Sequence, residues 1–192
     1  MADATVTHRT TDELMAFLPE LDAAPRDHGT LRLLVRRPAV DAREVLDRGE
    51  LDLAQGLVGD TWLERPSSRT PDGSAHPDMQ LNVMSHRMVS FLAGDTSREP
   101  LAGDQLYLDL DLSHDNLPAG TQLAFGSGAV IEVTEEPHTG CAKFIARFGE
   151  EAQRFVNGRE GRPRRLRGLN ARVVVPGAVA VGDVVTVRRP SS

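Results

Sequence analysis

Residues 137–144 read PHTGCAKF, and they hold the chain's one cysteine, Cys141, two positions from its one lysine, Lys143. A thiolate is both a nucleophile and a soft metal ligand, so a cysteine beside a fixed cation is a pairing that chemistry can use. The strand-like AVIEVT ends at Glu135-Glu136-Pro137. Thr139 is a suitable N-cap, which predicts Cys141 in the first turn of the helix that follows. The unpaired N–H groups and partial positive charge of a helix start, with Lys143 and Arg147 in the next two turns, favour the thiolate. A second reading stands beside this one. Cys141 precedes Phe144, Ile145 and Phe148 by three, four and seven residues. That is the spacing of a buried helical face, where a free cysteine packs as a small hydrophobe. Glu135 and Glu136 would also oppose ionisation if they faced the sulfur. The local sequence leaves both readings open.

Other residues invite a role around such a thiol. Arg159, Arg162, Arg164, Arg165, Arg167 and Arg172 crowd the stretch NGREGRPRRLRGLNAR. Arginine forks with glycine-exposed amides suit a phosphate, with Arg164, Arg165 and Arg167 the favoured three; a solvated basic loop is the alternative. His138 stands in HxxC spacing to Cys141. Two ligands do not make a zinc site, and a hydrogen bond to a pocket wall suits His138 better than ligation. Asn116 in HDNLPAG suits an Asx-turn before Pro118. Asn82 and Arg87 line the same pocket or simply flank the end of a strand. Asp109 and Asp111 share one face of an alternating strand and read as its solvent side. There is no GxGxxG, Walker loop or nucleophile elbow.

The elements that must position these residues are short. A helix is expected from Thr11-Asp12-Glu13, ended by Pro19, and a strand in LRLLVRRP. Residues 64–78 are rich in Pro, Ser, Gly and Asp and read as a long polar loop of the kind that forms lids or binding loops. QLNVM is strand-like and SHRMVSFLAG helix-like, with its stop at Gly94. QLYLDLDL alternates strictly, with Leu106, Leu108, Leu110 and Leu112 on one face. TQLAF, AVIEVT, ARVVV and DVVTVR are further strands, and CAKFIARFGEEAQRFVNG reads as one helix stopped at Asn157-Gly158. Many short, mostly antiparallel strands with a few flanking helices predict an α+β protein built on a closed or half-closed β-barrel. The expected division is an N-terminal extension over 1–29 and a barrel domain over 30–190.

Composition excludes several classes of function. The formal net charge is −6, which argues against general nucleic-acid or anionic-membrane binding. Aromatics make up only 4% of the chain, so the core must rest on Leu, Val, Ala and Met. One cysteine cannot form an intramolecular disulfide or a cysteine-only zinc site. The N-terminus lacks the pattern of a signal peptide, and no run approaches the roughly 18 apolar residues of a membrane span. A cytoplasmic protein is expected.

PHTGCAKFIARFG followed by RRLRGLNARVVVPGAVAVGDVV resembles the MOSC domain, named for the C-terminal domain of molybdenum-cofactor sulfurase. GLVGD at 56–60, QLNVMSHR at 80–87 and DLSHDNLPAG at 111–120 are similar to further family segments, in the family's order. The family's stand-alone bacterial members usually carry basic or His residues after the early Gly-Asp, where this chain has Thr61-Trp62. The resemblance implies a β-barrel and a functional cysteine. That cysteine would either ligate molybdenum in a pterin-bound cofactor (molybdopterin) or carry sulfur as a persulfide. In the first case Cys141 holds the metal, and Lys143, Asn116, His138, Arg164, Arg165, Arg167, Asn82 and Arg87 are the candidate cofactor-binding residues. The substrate would be a small, N-oxygenated molecule, with electrons from a separate reductase. In the second case a pyridoxal-phosphate cysteine desulfurase is the partner. A non-catalytic binding module is the third expectation.

Overall fold

The computed structural model describes residues 7–190. Among these, four α-helices (α1 Thr11–Asp22, α2 His86–Ala93, α3 Ala142–Phe148, α4 Glu150–Val156) surround a mixed sheet. The strands are β1 His28–Arg36, β2 Glu44–Leu46, β3 Arg48–Asp52, β4 Gly56–Leu57, β5 Leu81–Ser85, β6 Leu106–Asp109, β7 Gln122–Phe125, β8 Val130–Val133, β9 Leu169–Val175, β10 Gly177–Ala180 and β11 Val184–Arg188. The ring runs β11-β7-β8-β9-β5-β6-β1 and closes through β1 on β11. Its neighbours are antiparallel except β5 and β6, which pair Val83 with Leu106 in parallel. β2 extends β1 beyond the ring, and β10, β3 and β4 form a small separate sheet. The expected α+β barrel is therefore present, and it is closed.

Alternation places Leu34, Val83, Leu106 and Leu108 inside the barrel, where they join Leu123, Ile131, Leu169 and Val185 in one core. The residues between them point outward but are not solvated. Val35, Met84 and Tyr107 pack under the helices with Leu14, Met88, Phe144, Phe148 and Phe155. Burying each large side chain is worth about 1.5–3 kcal/mol, so both faces of β1, β5 and β6 stabilise the fold. Asp109, expected on a solvent face, instead receives Arg87 Nε at 2.6 Å.

Two helices differ from expectation. α1 runs through Pro19 to Asp22, starting from a capping box of Thr10 and Glu13. Its buried Leu14, Leu18 and Leu21 hold the last turn against the core despite the missing proline N–H. The single helix expected after Cys141 is two, α3 and α4, broken at Gly149 with φ 91° and ψ 163°. A side chain there would collide with His8.

Candidate functional site

Cys141 is the N-cap of α3, the place the sequence gives to Thr139, so the helix starts two residues later than expected and Thr139 lies outside it. The reason lies in α4. Asn157 Oδ1 accepts the Gly140 N–H at 3.0 Å, while Asn157 Nδ2 and Gln153 Nε2 donate to the Gly140 carbonyl at 3.1 and 3.2 Å. With both backbone groups of Gly140 held, the helix can only begin after it. The Cys141 carbonyl accepts from Phe144 and Ile145, and its side chain makes no capping bond. Phe144 and Phe148 carry the packing of α3, and the thiol is exposed rather than buried beneath them.

The thiol stands in the wall of a cleft of about 370 Å³ between the barrel and α3. Six cations line it: Arg37, Arg43, Arg65, Lys143, Arg147 and Arg167. Arg37 follows β1, Arg43 precedes β2, Arg65 opens the polar loop, Lys143 and Arg147 lie on α3, and Arg167 precedes β9. Among the described residues, Asp41 is the one carboxylate in the wall.

Two of the six cations are neutralised in the protein interior. Arg37 donates from Nε and Nη2 to the two oxygens of buried Asp60, each at 2.8 Å, and from Nη1 to Asn82 Oδ1 and the Gly103 carbonyl at 3.0 Å. Arg167 Nη1 meets Asp104 Oδ1 and Oδ2 at 2.9 and 2.8 Å, with its guanidinium over the Phe144 ring. His138 Nε2 lies 2.8 Å from Asp104 Oδ1. Burial opposes ionisation of Asp104, but Arg167 and His138 hold its carboxyl below the usual carboxylate range. Burial and Arg167 together push His138 below the usual imidazole range, against the pull of Asp104. The consistent state is an ionised Asp104 and a neutral His138 that donates from Nε2, leaving Nδ1 as acceptor.

Among the described residues, the other four cations have no buried counter-charge. Arg43 and Arg65 are both pushed down, first by burial and then by neighbouring arginines. Among the described residues, the Nε groups of Arg43 and Arg167 are buried without a hydrogen-bond partner. A desolvated cation cluster with orphaned donors is a place for an anion.

The structure brings Cys141, Lys143, His138, Arg167 and Asn82 into this wall. It places the other four candidates elsewhere. Asn116 is buried and donates from Nδ2 to the Arg26 and Asp111 carbonyls, while Oδ1 accepts from Arg26 and Arg189. Those bonds tie down the chain before β7. Arg87 is committed to Asp109 and to the Glu20 carbonyl. Arg164 pairs with Asp22 and Glu160, and Arg165 reaches the Leu117 carbonyl at 2.6 Å. Each side chain is held by partners away from the thiol. Sequence reasoning missed Arg37, Arg43, Arg65 and Asp104. Only a carboxylate partner far along the chain marks Arg37 or Arg167 as special, and no local pattern encodes it.

The family model for the MOSC domain matches residues 71–186, more than half of the chain. The YuaD protein of Bacillus subtilis superposes with a TM-score of 0.59 at 18% identity, over 85% of this chain and 97% of that one. A crystal structure of a hypothetical protein gives 0.58 at 20% identity, over 87% and 70%. YiiM from Escherichia coli gives 0.53 at 20% identity, over 85% and 71%. At these identities the likeness is one of fold. No curated protein matches the chain. Arg37, Asp41, Arg43 and Arg65 lie upstream of the matched span, so part of the cleft wall is outside it. The match and the closed barrel together place the chain in the MOSC-domain family.

Proposed function

We propose that the cleft binds a molybdenum–pterin cofactor, with Cys141 Sγ as the protein ligand to the metal. The observation that carries this is a single exposed thiol in the wall of a cationic cleft whose Arg43 Nε is buried without a partner. The cleft volume, about 370 Å³, lies within the roughly 300–1,000 Å³ of small-ligand sites. Among the described residues no group of three His, Cys, Asp or Glu side chains could hold a metal ion. A metal on Cys141 would therefore take its other ligands from the bound group, which suits a pterin carrying its own sulfur donors.

When bound, such a cofactor supplies two-electron reduction or oxo transfer on a small, N-oxygenated substrate, with electrons from a separate reductase. The chain's own residues would do the holding. Lys143, Arg147, Arg43 and Arg65 attract and orient the anionic end of the ligand. Arg167 and His138, fixed through Asp104, keep the wall in one arrangement, and the neutral imidazole offers Nδ1 to a donor. Arg37 and Asn82 stiffen the floor through Asp60 and Asn170.

Elemental analysis tests this on protein from a host that makes the cofactor. Wild type should carry molybdenum and Cys141→Ser should carry none; equal metal in both rules out the ligand role. The exposure of the thiol supports a second reading, a sulfur relay. Here Cys141 thiolate attacks the outer sulfur of a desulfurase persulfide, the desulfurase thiolate leaves, and Cys141 keeps the sulfur. A mass gain of one sulfur on Cys141 without molybdenum would favour it. Neither metal nor added sulfur would leave a non-catalytic binding module.

A further inference from the structure

A second pocket, of about 360 Å³, is lined by residues 137–139 but not by Cys141. His138 and Arg167 line both pockets, so they form a shared wall. The second pocket is lined by the apolar Pro137, Val156 and Leu169 and by the polar Arg162, Arg165, His114, Glu135 and Glu136.

Arg165 differs from its neighbour in one respect that matters. Arg164 has two carboxylates, Asp22 and Glu160. Among the described residues Arg165 has none, and its guanidinium meets only the Leu117 carbonyl. Burial alone pushes it down to about 10, and its presence helps keep His114 below the usual imidazole range. Its backbone sits at φ 48°, a conformation unusual for a side-chain-bearing residue. The turn is held by the Arg165 N–H on the Arg162 carbonyl at 3.0 Å and the Gly168 N–H on the Arg165 carbonyl at 2.7 Å. The chain thus accepts local strain and leaves a part-buried cation without a paired carboxylate in a pocket whose wall mixes apolar and charged side chains.

We propose that this pocket binds a small monoanionic carboxylate with an apolar body, held by the Arg165 guanidinium and packed against Pro137, Val156 and Leu169. An arginine fork is the natural partner of a carboxylate. The acidic residues of the pocket argue against a dianion: Glu135 is exposed at the rim, and Glu136, although paired with Arg69, adds to the negative field. The proposal is independent of any cofactor at Cys141. A ligand here abuts the His138–Arg167 wall of the Cys141 cleft.

The test is calorimetric titration of the full chain with benzoate, and with benzamide as the neutral molecule of the same shape. Saturable binding of benzoate is expected, at least tenfold tighter than that of benzamide. Arg165→Gln should weaken benzoate at least tenfold, and Cys141→Ser should leave it unchanged. Because Arg165 also tethers Leu117, Thr139→Trp is the second variant. It adds bulk to the pocket wall from an exposed position and leaves the Arg165 side chain in the sequence, and should likewise abolish binding. The proposal fails if benzoate does not bind, if benzamide binds equally well, or if a folded Arg165→Gln or Thr139→Trp protein binds benzoate like wild type. Loss of binding in Cys141→Ser would place the anion in the other cleft and overturn it too.

Discussion

Lys143 Nζ donates to Asp41 Oδ1 across 3.0 Å, and Arg147 Nη2 lies 3.3 Å from the same oxygen. Both side chains of the first pair are more than half exposed, so the contact adds little to stability. Asp41 sits at φ 60°, in the loop between Arg37 and Arg43. It is a resident counter-ion at the mouth of the cleft, and an anionic ligand must compete with it. Asp41→Asn tolerates the same backbone and removes the charge. The expected result is a severalfold gain in affinity for inorganic pyrophosphate, measured by calorimetry at low salt and shrinking as salt is raised. Unchanged affinity would show that Asp41 does not compete.

The Arg37–Asp60 pair is fully enclosed, and Asp60 also accepts the backbone N–H groups of Arg37 and Trp62. Removing one partner of such a pair leaves a buried charge uncompensated. Asp60→Ala should cost about 3–5 kcal/mol in urea denaturation. A loss below about 1 kcal/mol would mean that water replaces the carboxylate.

Stability should fall on mild acidification. His138 is held below the ordinary imidazole range by burial and Arg167, and burial also depresses His86 and His114. Below about pH 6.5 the unfolded chain takes up protons that the fold refuses until its own lower pKa is reached, so stability drops with pH across that window. Asp104 acts later, its contribution being lost below about pH 3.9 as its depressed folded pKa is passed. His138→Gln keeps a donor toward Asp104 but cannot titrate. Urea midpoints between pH 7 and pH 5 should show a slope reduced by up to about 1.4 kcal/mol per pH unit, with His86 and His114 still contributing. An unaltered slope would show that His138 does not titrate differently in the two states.

Gly168 has φ 111°, and a Cβ there would overlap the Val83 carbonyl and crowd His138 Cδ2 at 3.2 Å. Gly168→Ala must push β9 from β5 or swing Arg167 off Asp104. Thermal melting should shift down by several degrees, and the loss should exceed that of Gly120→Ala, where a Cβ meets open space although φ is also positive. Equal shifts would assign the effect to backbone conformation alone.

The barrel strands were legible because a period of two over Leu106, Leu108 and their equivalents is a local signal. Burial of Tyr107 on the opposite face was not, since it depends on helices arriving from elsewhere in the chain. The break at Gly149 was missed for a related reason. The apolar spacing of Phe144, Phe148 and Phe155 continues across it, and only a positive φ reveals it. The arginine loop shows the same limit most sharply. Arg164, Arg165 and Arg167 look alike in sequence, yet one pairs with α1, one faces the second pocket and one reaches the wall beside Cys141.

The sequence by itself determined the lone thiol, its neighbouring lysine, the strand-rich α+β class and the likeness of the Cys141 segment to its family. Tertiary structure alone decided that Arg37, Arg43 and Arg65, far upstream, converge on that thiol, and that Asn116, Arg87 and Arg164 do not. The physical reason is that periodicity reports which face of an element is buried. The partner of a charged side chain is chosen through space, by barrel closure and by where the buried carboxylates Asp60 and Asp104 fall.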